Sequence, residues 1–211
     1  VGALSGRQEI LIWTDKAMYS MKFIGGEFVF SFTEIQDGIT MISPRAASNA
    51  GANTYFMGER GFYRYSGAVE PIPCPVQNYI FDDLDVSEQQ KVFSVSNPRY
   101  NEVWWFYPSS DSIEINRYVA YDYNENHWMI GELSRTSGEA RGVFRYPFMA
   151  DYDGTHANIK EHEVGYNVDS GAIFAETGPV SAGTGENIMY VTSVIPDEVT
   201  QGDVSMTFKT R

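Results

Sequence analysis

The chain has 211 residues, enough for one sizeable core, and carries 15 Lys plus Arg against 28 Asp plus Glu, a formal net charge of −13. That sign argues against tight binding to nucleic-acid phosphate, which is driven by basic patches, while leaving open a wall that a polyanion slides past. Aromatics make up 15% of residues and Gly numbers 19, a balance that suits many short strands joined by tight turns better than helices. The single cysteine, Cys74 in PIPCPV, can form no intrachain disulfide and is read as a small buried hydrophobe.

In chain order, VGALSGRQE lacks the basic and apolar regions of a signal peptide, and no apolar run reaches the roughly 18 residues of a membrane helix. Glu9 to Trp13 and Ala17 to Phe23 read as strands around the turn Thr14 to Lys16, and a second hairpin is expected from Glu27 to Ile35, after Gly25 and Gly26. Ile12 to Met21 (IWTDKAMYSM) lines up with Phe56 to Tyr65 (FMGERGFYRY) 44 residues later, with Asp15–Lys16 and Glu59–Arg60 at matching turns. A four-stranded propeller blade repeats at about 40 to 50 residues.

Between these units, Ile42 to Asn53 is small and polar, and is expected to be an exposed loop or a strand edge between blades. Pro71 to Pro75 is too proline-rich for a central strand. Asp82 to Lys91 is the one place where a helical turn is expected, with acids at its start and Lys91 at its end.

Asn97 to Leu133 is the clearest stretch: Glu102 to Tyr107, Arg117 to Tyr123 and His127 to Leu133 are three aromatic-rich runs parted by turn residues, an antiparallel meander. Trp104 and Trp105 must then point to opposite sides of one strand. Further on, Gly142 to Ala150 reads as extended, Asp151 to Gly154 as a tight turn, Glu161 to Tyr166 as a strand, Thr177 to Gly185 as a Gly-rich loop, and Met189 to Val194 with Val204 to Lys209 as a last strand pair. Four to five small antiparallel sheets make the fold class all-β: one β-propeller-like domain over residues 1–211, or a large part of a propeller, with four-stranded blades. A start without Met and a strand-like TFKTR at the end read as a fragment of a longer chain.

The candidate sites are few. Asp82, Asp83, Asp85 and Glu88 form an acidic cluster that fits a cation site or paired carboxylates, but equally a solvated helix start. Asp122 to Asn126 and Asp151 to Gly154 begin like calcium loops, yet His127 stands where the loop needs Gly, so simple turns are favoured. His156 and His162 lack the paired spacing of zinc ligands, and Glu161 and Glu163 are expected to raise the proton affinity of His162. Gly183 to Glu186 is no phosphate loop, and the sequence contains neither G-x-S-x-G nor H-E-x-x-H. No enzyme, metal or cofactor is therefore expected. Trp104, Trp105, Tyr107 and Trp128 are candidate contacts for a partner or a glycan ring, against the plainer reading that they pack between sheets.

The runs NEVWWFYPS, NRYVAYDYNENHWMIGELSRT, RGVFRYPFMADYDG and EHEVGYNVDSG, from Trp104 to Gly171, together with the C-terminal ENIMYVTSVIPDEVTQGDVSMTFKTR, resemble a group of phage and prophage tail proteins related to the propeller-bearing tail nozzle or tubular proteins of short-tailed bacteriophages. THANIK, between DYDG and EHE, departs from that pattern. The resemblance implies a virion structural protein, made in the host cytoplasm and placed in the tail. It also implies a homo-oligomeric ring of about six copies on a portal or adaptor ring, beside other tail proteins, with DNA passing unbound and no membrane contact. Excised from its neighbours, such a chain is expected to be monomeric. The alternative is a receptor-recognising, carbohydrate-binding propeller module.

Overall fold

The computed structural model describes residues 2–6, 8–140, 144–152, 154–165, 174–178, 188, 190–195 and 205–209. The chain groups into two units, Val1–Asn167 and Val168–Arg211. In the second unit the described residues carry no regular secondary structure, and Lys209 pairs with Glu176 at 2.7 Å. Residues 190–194 and 205–209 are therefore not the strand pair expected there, while Met189 and Val204 lie outside the described residues, as do most of Thr177 to Gly185.

The first unit is all-β, a succession of antiparallel meanders. Sheet 1 is β1 (Gly2–Ser5), β2 (Ile10–Trp13), β3 (Ala17–Phe23) and β4 (Phe30–Asp37). Sheet 2 is β5 (Ala47–Ala50), β6 (Asn53–Met57), β7 (Phe62–Tyr65) and β8 (Val69–Ile72). After α1 (Gln77–Asp83) and a 3-10 helix (Val86–Lys91), sheet 3 is β9 (Phe93–Asn97), β10 (Glu102–Tyr107), β11 (Arg117–Asp122) and β12 (His127–Glu132). Sheet 4 is β13 (Ser137–Glu139), β14 (Phe148–Tyr152) and β15 (Ala157–Glu161), with three strands among the described residues rather than four. Each is blade-like, and no strand pairing joins the last sheet to the first among the described residues.

The 44-residue repeat marks equivalent hairpins. Trp13 pairs with Met18 as Met57 pairs with Phe62, and both turns close with one backbone bond, Thr14 N–H to Ala17 O at 2.9 Å and Gly58 N–H to Gly61 O at 2.8 Å.

First strands adjoin along the series. Ser48 and Ser94 hydroxyls meet at 2.8 Å between β5 and β9, and the Asn49 amide donates to Ser5 O of β1 at 2.8 Å. Gly138 of β13 lies so close to β9 that a Cβ would sit 2.8 Å from Val95 Cγ2. Small and polar residues suit these crowded positions, where backbones approach across a narrow space.

Three apolar layers separate the sheets. Leu11, Trp13 and Met18 of sheet 1 meet Phe56 and Tyr65 of sheet 2. The opposite face of sheet 2, with Tyr55, Met57 and Phe62, meets Val103, Trp105, Tyr107, Val119 and Tyr121 of sheet 3. The far face of sheet 3, with Phe93, Val95 and Phe106, meets Met149 of sheet 4. Tyr55, Phe56 and Met57 are thus all buried although consecutive, because alternate residues serve different neighbours.

Several local expectations are corrected. In Ile42 to Asn53 the exposed loop gives way to the strand-edge alternative: β5 is an edge strand of sheet 2, with Ile42, Ala46 and Ala50 buried, because its small side chains fit beside β9. The residues from Glu27 form no separate hairpin: after Gly25 and Gly26, both at positive φ, β4 folds back on β3. The helical turn expected in Asp82 to Lys91 is present as the 3-10 helix Val86–Lys91, and a further helix begins earlier, at Gln77. Asp151 and Tyr152 belong to β14, and the following strand is Ala157–Glu161, so the departure THANIK supplies the strand and Glu161 ends it. Strand β1 carried no alternation long enough to read.

Trp105 is fully buried, 5.0 Å from the Phe62 ring, and its indole N–H donates to Ala46 O at 3.0 Å. Trp105→Ala is expected to cost about 3–5 kcal/mol of unfolding free energy in urea titrations, from lost transfer energy and the cavity left behind. Gly138→Val is expected to cost about 1–3 kcal/mol in the same measurement, through overpacking against Val95 and Met149.

Candidate functional site

The acidic cluster resolves into structural partners. α1 sets Asp83 beside β11 and β10, where Arg117 Nε lies 3.2 Å from its carboxylate and the Tyr107 hydroxyl donates at 3.4 Å. Burial, together with the Asp83 charge, pushes the Tyr107 phenol well above its usual range. Asp85 caps the 3-10 helix, accepting from Ser87 N–H at 2.9 Å and from its hydroxyl at 2.7 Å, and these bonds hold its carboxyl below the usual range. Glu88 pairs with Lys91 at 3.1 Å, and Lys91 also reaches Glu114 at 3.1 Å. Asp82 is exposed on α1. The four acids do not converge on one point, and among the described residues no group of three or more His, Cys, Asp or Glu is arranged to hold a metal ion.

The tryptophans divide as strand geometry requires. Trp105 and Tyr107 face sheet 2 and are fully buried, so as contacts for a partner or a glycan they are corrected to packing residues. Trp128 is half-buried against Phe62 at 4.7 Å and Tyr121 at 4.6 Å, with its N–H given to Pro73 O. Trp104, on the opposite face, stacks on Tyr118 at 4.6 Å and donates to Glu102 at 2.7 Å. A group of exposed aromatics lies elsewhere: Phe23, Phe28, Phe30 and Phe32, on and around the β3–β4 hairpin.

Two polar clusters were not legible in the sequence. Glu9, at the start of β2, accepts from the Ser20 hydroxyl and from the Tyr65 hydroxyl at 2.8 Å, and pairs with Lys22 at 3.3 Å. Burial alone would raise its pKa, but the bonds from Ser20, Tyr65 and Lys22 outweigh it and leave the carboxyl below its usual range. Burial, with Glu9 beside it, pushes Tyr65 up to about 12. Next to this pair a cleft of about 520 Å³ opens between sheets 1 and 2, lined by Gln8, Glu9, Asn49, Asn53, Thr54 and Ser66 among others. Tyr65 is 56 residues from Glu9, with no local signal linking them.

The second cluster lies in sheet 4. Asp151, read from the sequence as a turn residue, is buried in β14, with Lys160 at 2.8 Å and Arg135 at 3.7 Å. Lys160 is the main reason its carboxyl lies below the usual range. Arg135 Nε donates to His162 Nε2 at 3.0 Å, which requires that nitrogen to be deprotonated. The expectation for His162 is thereby reversed. Burial first, then the charges of Arg135 and Lys160, bring its pKa down to about 4, and neighbouring Glu161 and Glu163 do not restore it. Asp122 accepts from the N–H groups of Asn124 and Glu125 at 2.8 and 2.9 Å, a side-chain-closed turn. Burial pushes the half-buried Cys74 thiol up to about 11, away from nucleophilic character.

Neither a protein-family model nor a curated protein matches this sequence. No helix among the described residues is long and apolar enough to cross a membrane.

The pH dependence follows from His162. An unfolded chain binds its proton near pH 6.5, whereas the folded chain does so only near 4. The contribution of neutral His162 is therefore complete above about 6.5 and falls away as pH drops towards 4. Urea midpoints between pH 7 and 4 are expected to fall more steeply for the natural chain than for His162→Gln, and NMR titration of the imidazole should give an apparent pKa well below 6.5.

Proposed function

We propose that this chain is a non-catalytic structural component of a short-tailed phage virion, part of a tail conduit through which DNA passes. The observation that carries the reading is the resemblance over Trp104 to Gly171, which covers sheet 3 from within β10 onward, sheet 4 and the residues that follow in sequence. Two features support it. Blade-like sheets are the architecture the resemblance implies. A net charge of −13 suits a wall that must not retain DNA. In this reading the chain belongs to a ring of about six copies, with portal or adaptor and other tail proteins as partners.

The test is to purify particles produced by the encoding genome and locate the chain in them. Its peptides are expected in gradient-purified particles, with immunogold label on the tail; their confinement to the soluble fraction would remove the reading. Duplex DNA should show no mobility shift with the chain at low salt.

One observation favours carbohydrate binding as a second reading. With Trp105 and Tyr107 buried, it rests on the cleft between sheets 1 and 2, whose amides, hydroxyls and Glu9 carboxylate suit sugar hydroxyls. Saturable binding of host polysaccharide, weakened at least about tenfold by Asn53→Ala, would favour it. Absence of saturable binding would set it aside.

A further inference from the structure

The outward face of sheet 1 is largely apolar, with Glu34 beside Tyr19 as a charged member, and no sheet among the described residues of the first unit packs on it. Leu11, Trp13 and Met18 point to sheet 2, so their strand neighbours point away. Ile10 pairs with Met21, Met21 with Phe32, Ile12 with Tyr19, and Phe23 with Phe30, and these residues share the outward face. Phe23 is 73% exposed, Phe32 64% and Phe30 48%. Sheet 4 also has an outward face: Met149 points to sheet 3, so Phe148, Ala150 and Tyr152 of β14 point outward together with Ile159 of β15, which is 77% exposed, with Glu139 and Glu161 flanking Phe148 and the Phe144 ring 4.8 Å from it.

The two free faces are of opposite kind. At each of the three interior layers, the forward face of one sheet meets the backward face of the next, and the first strands adjoin. Among the described residues of the first unit, no sheet packs on the forward face of sheet 4 or on the backward face of sheet 1. Hence the junction that would follow sheet 4 is the same kind of junction the chain already makes three times. Among their described residues two copies supply eight such sheets, at the upper end of the roughly four to eight blades that close a propeller.

We propose that the outward face of sheet 1 is an interface for a second copy of this chain, seated by the outward face of its sheet 4, so that two copies pair head to tail through two equivalent junctions. This departs from the monomer expected from the sequence, in which the exposure of Phe23, Phe30 and Phe32 was not visible, and it does not depend on the tail reading. Head-to-tail contacts that close give rings. Contiguous exposed apolar faces of this sort mark association surfaces.

The test is sedimentation equilibrium on the full 211-residue chain, the natural sequence beside Phe32→Lys and Ile159→Lys. Both positions are exposed, so folding should survive, as circular dichroism would verify; Phe23→Lys and Tyr152→Lys probe the same faces if either variant misfolds. The natural chain is expected to form a dimer at tens of micromolar, and each substitution to weaken it at least about tenfold. An equimolar mixture of the two variants should regain association, because it restores one intact junction. A monomeric natural chain overturns the proposal and points to another chain, or further blades, as the cover. So does a dimer broken by one substitution but not by the other, which would mean like faces pairing, and so does a mixture that stays monomeric.

Discussion

The structure depends on sheets buried on both faces. A strand has period two, so a sheet between two others must place apolar side chains at odd and even positions alike, each set for a different neighbour. Tyr55, Phe56 and Met57 in β6, and Val103 with Trp105, Phe106 and Tyr107 in β10, are the outcome, and they hold sheets 2 and 3 at the centre of the series. Where a neighbour is lacking, the same construction leaves apolar residues in water, as with Phe32 on sheet 1 and Ile159 on sheet 4.

Polar groups close what the apolar layers leave open. The Trp105 indole reaches the Ala46 carbonyl across the layer between sheets 2 and 3, and the buried Ser43 hydroxyl donates to Val92 O, fixing the approach to sheet 2 against the entry to sheet 3. Asp83 and Arg117 tie the connecting helix to sheet 3. Such bonds contribute modestly one by one, yet leaving their buried partners unsatisfied would cost more than the bonds supply. The acids around Asp83 thus serve attachment and capping, and a large depression falls on His162, just after β15, where Arg135 requires a neutral imidazole.

A conduit wall and a carbohydrate-binding module make different demands on this scaffold. The first needs a repeated architecture with a repellent charge, and the chain's composition and blade-like sheets agree with that need. The second needs a concave site with convergent polar groups, for which the cleft beside Glu9 and Asn53 is the place. The tail proposal starts from the sequence pattern from Trp104 onward, the carbohydrate proposal from the cleft.

The sequence by itself determined the class and the unit of construction. Aromatic-rich runs parted by turn residues specified the meander of Glu102 to Glu132, the spacing from Trp13–Met18 to Met57–Phe62 specified a repeated hairpin, and alternation placed Trp104 and Trp105 on opposite faces. Such patterns are local, set by pleat and turn chemistry over a few residues. Only the tertiary structure decided which faces are covered. The segment of β5 could be read as an exposed loop or a strand edge because its small residues gain burial only beside β9, and Asp151 looked like a turn residue because Lys160 and Arg135 reach it from other segments. The candidate site was legible to the same limited degree: its residue types could be read, but whether Trp105 meets solvent or Phe62, and whether Glu9 meets Tyr65, depends on packing between segments tens of residues apart, and no local periodicity encodes that.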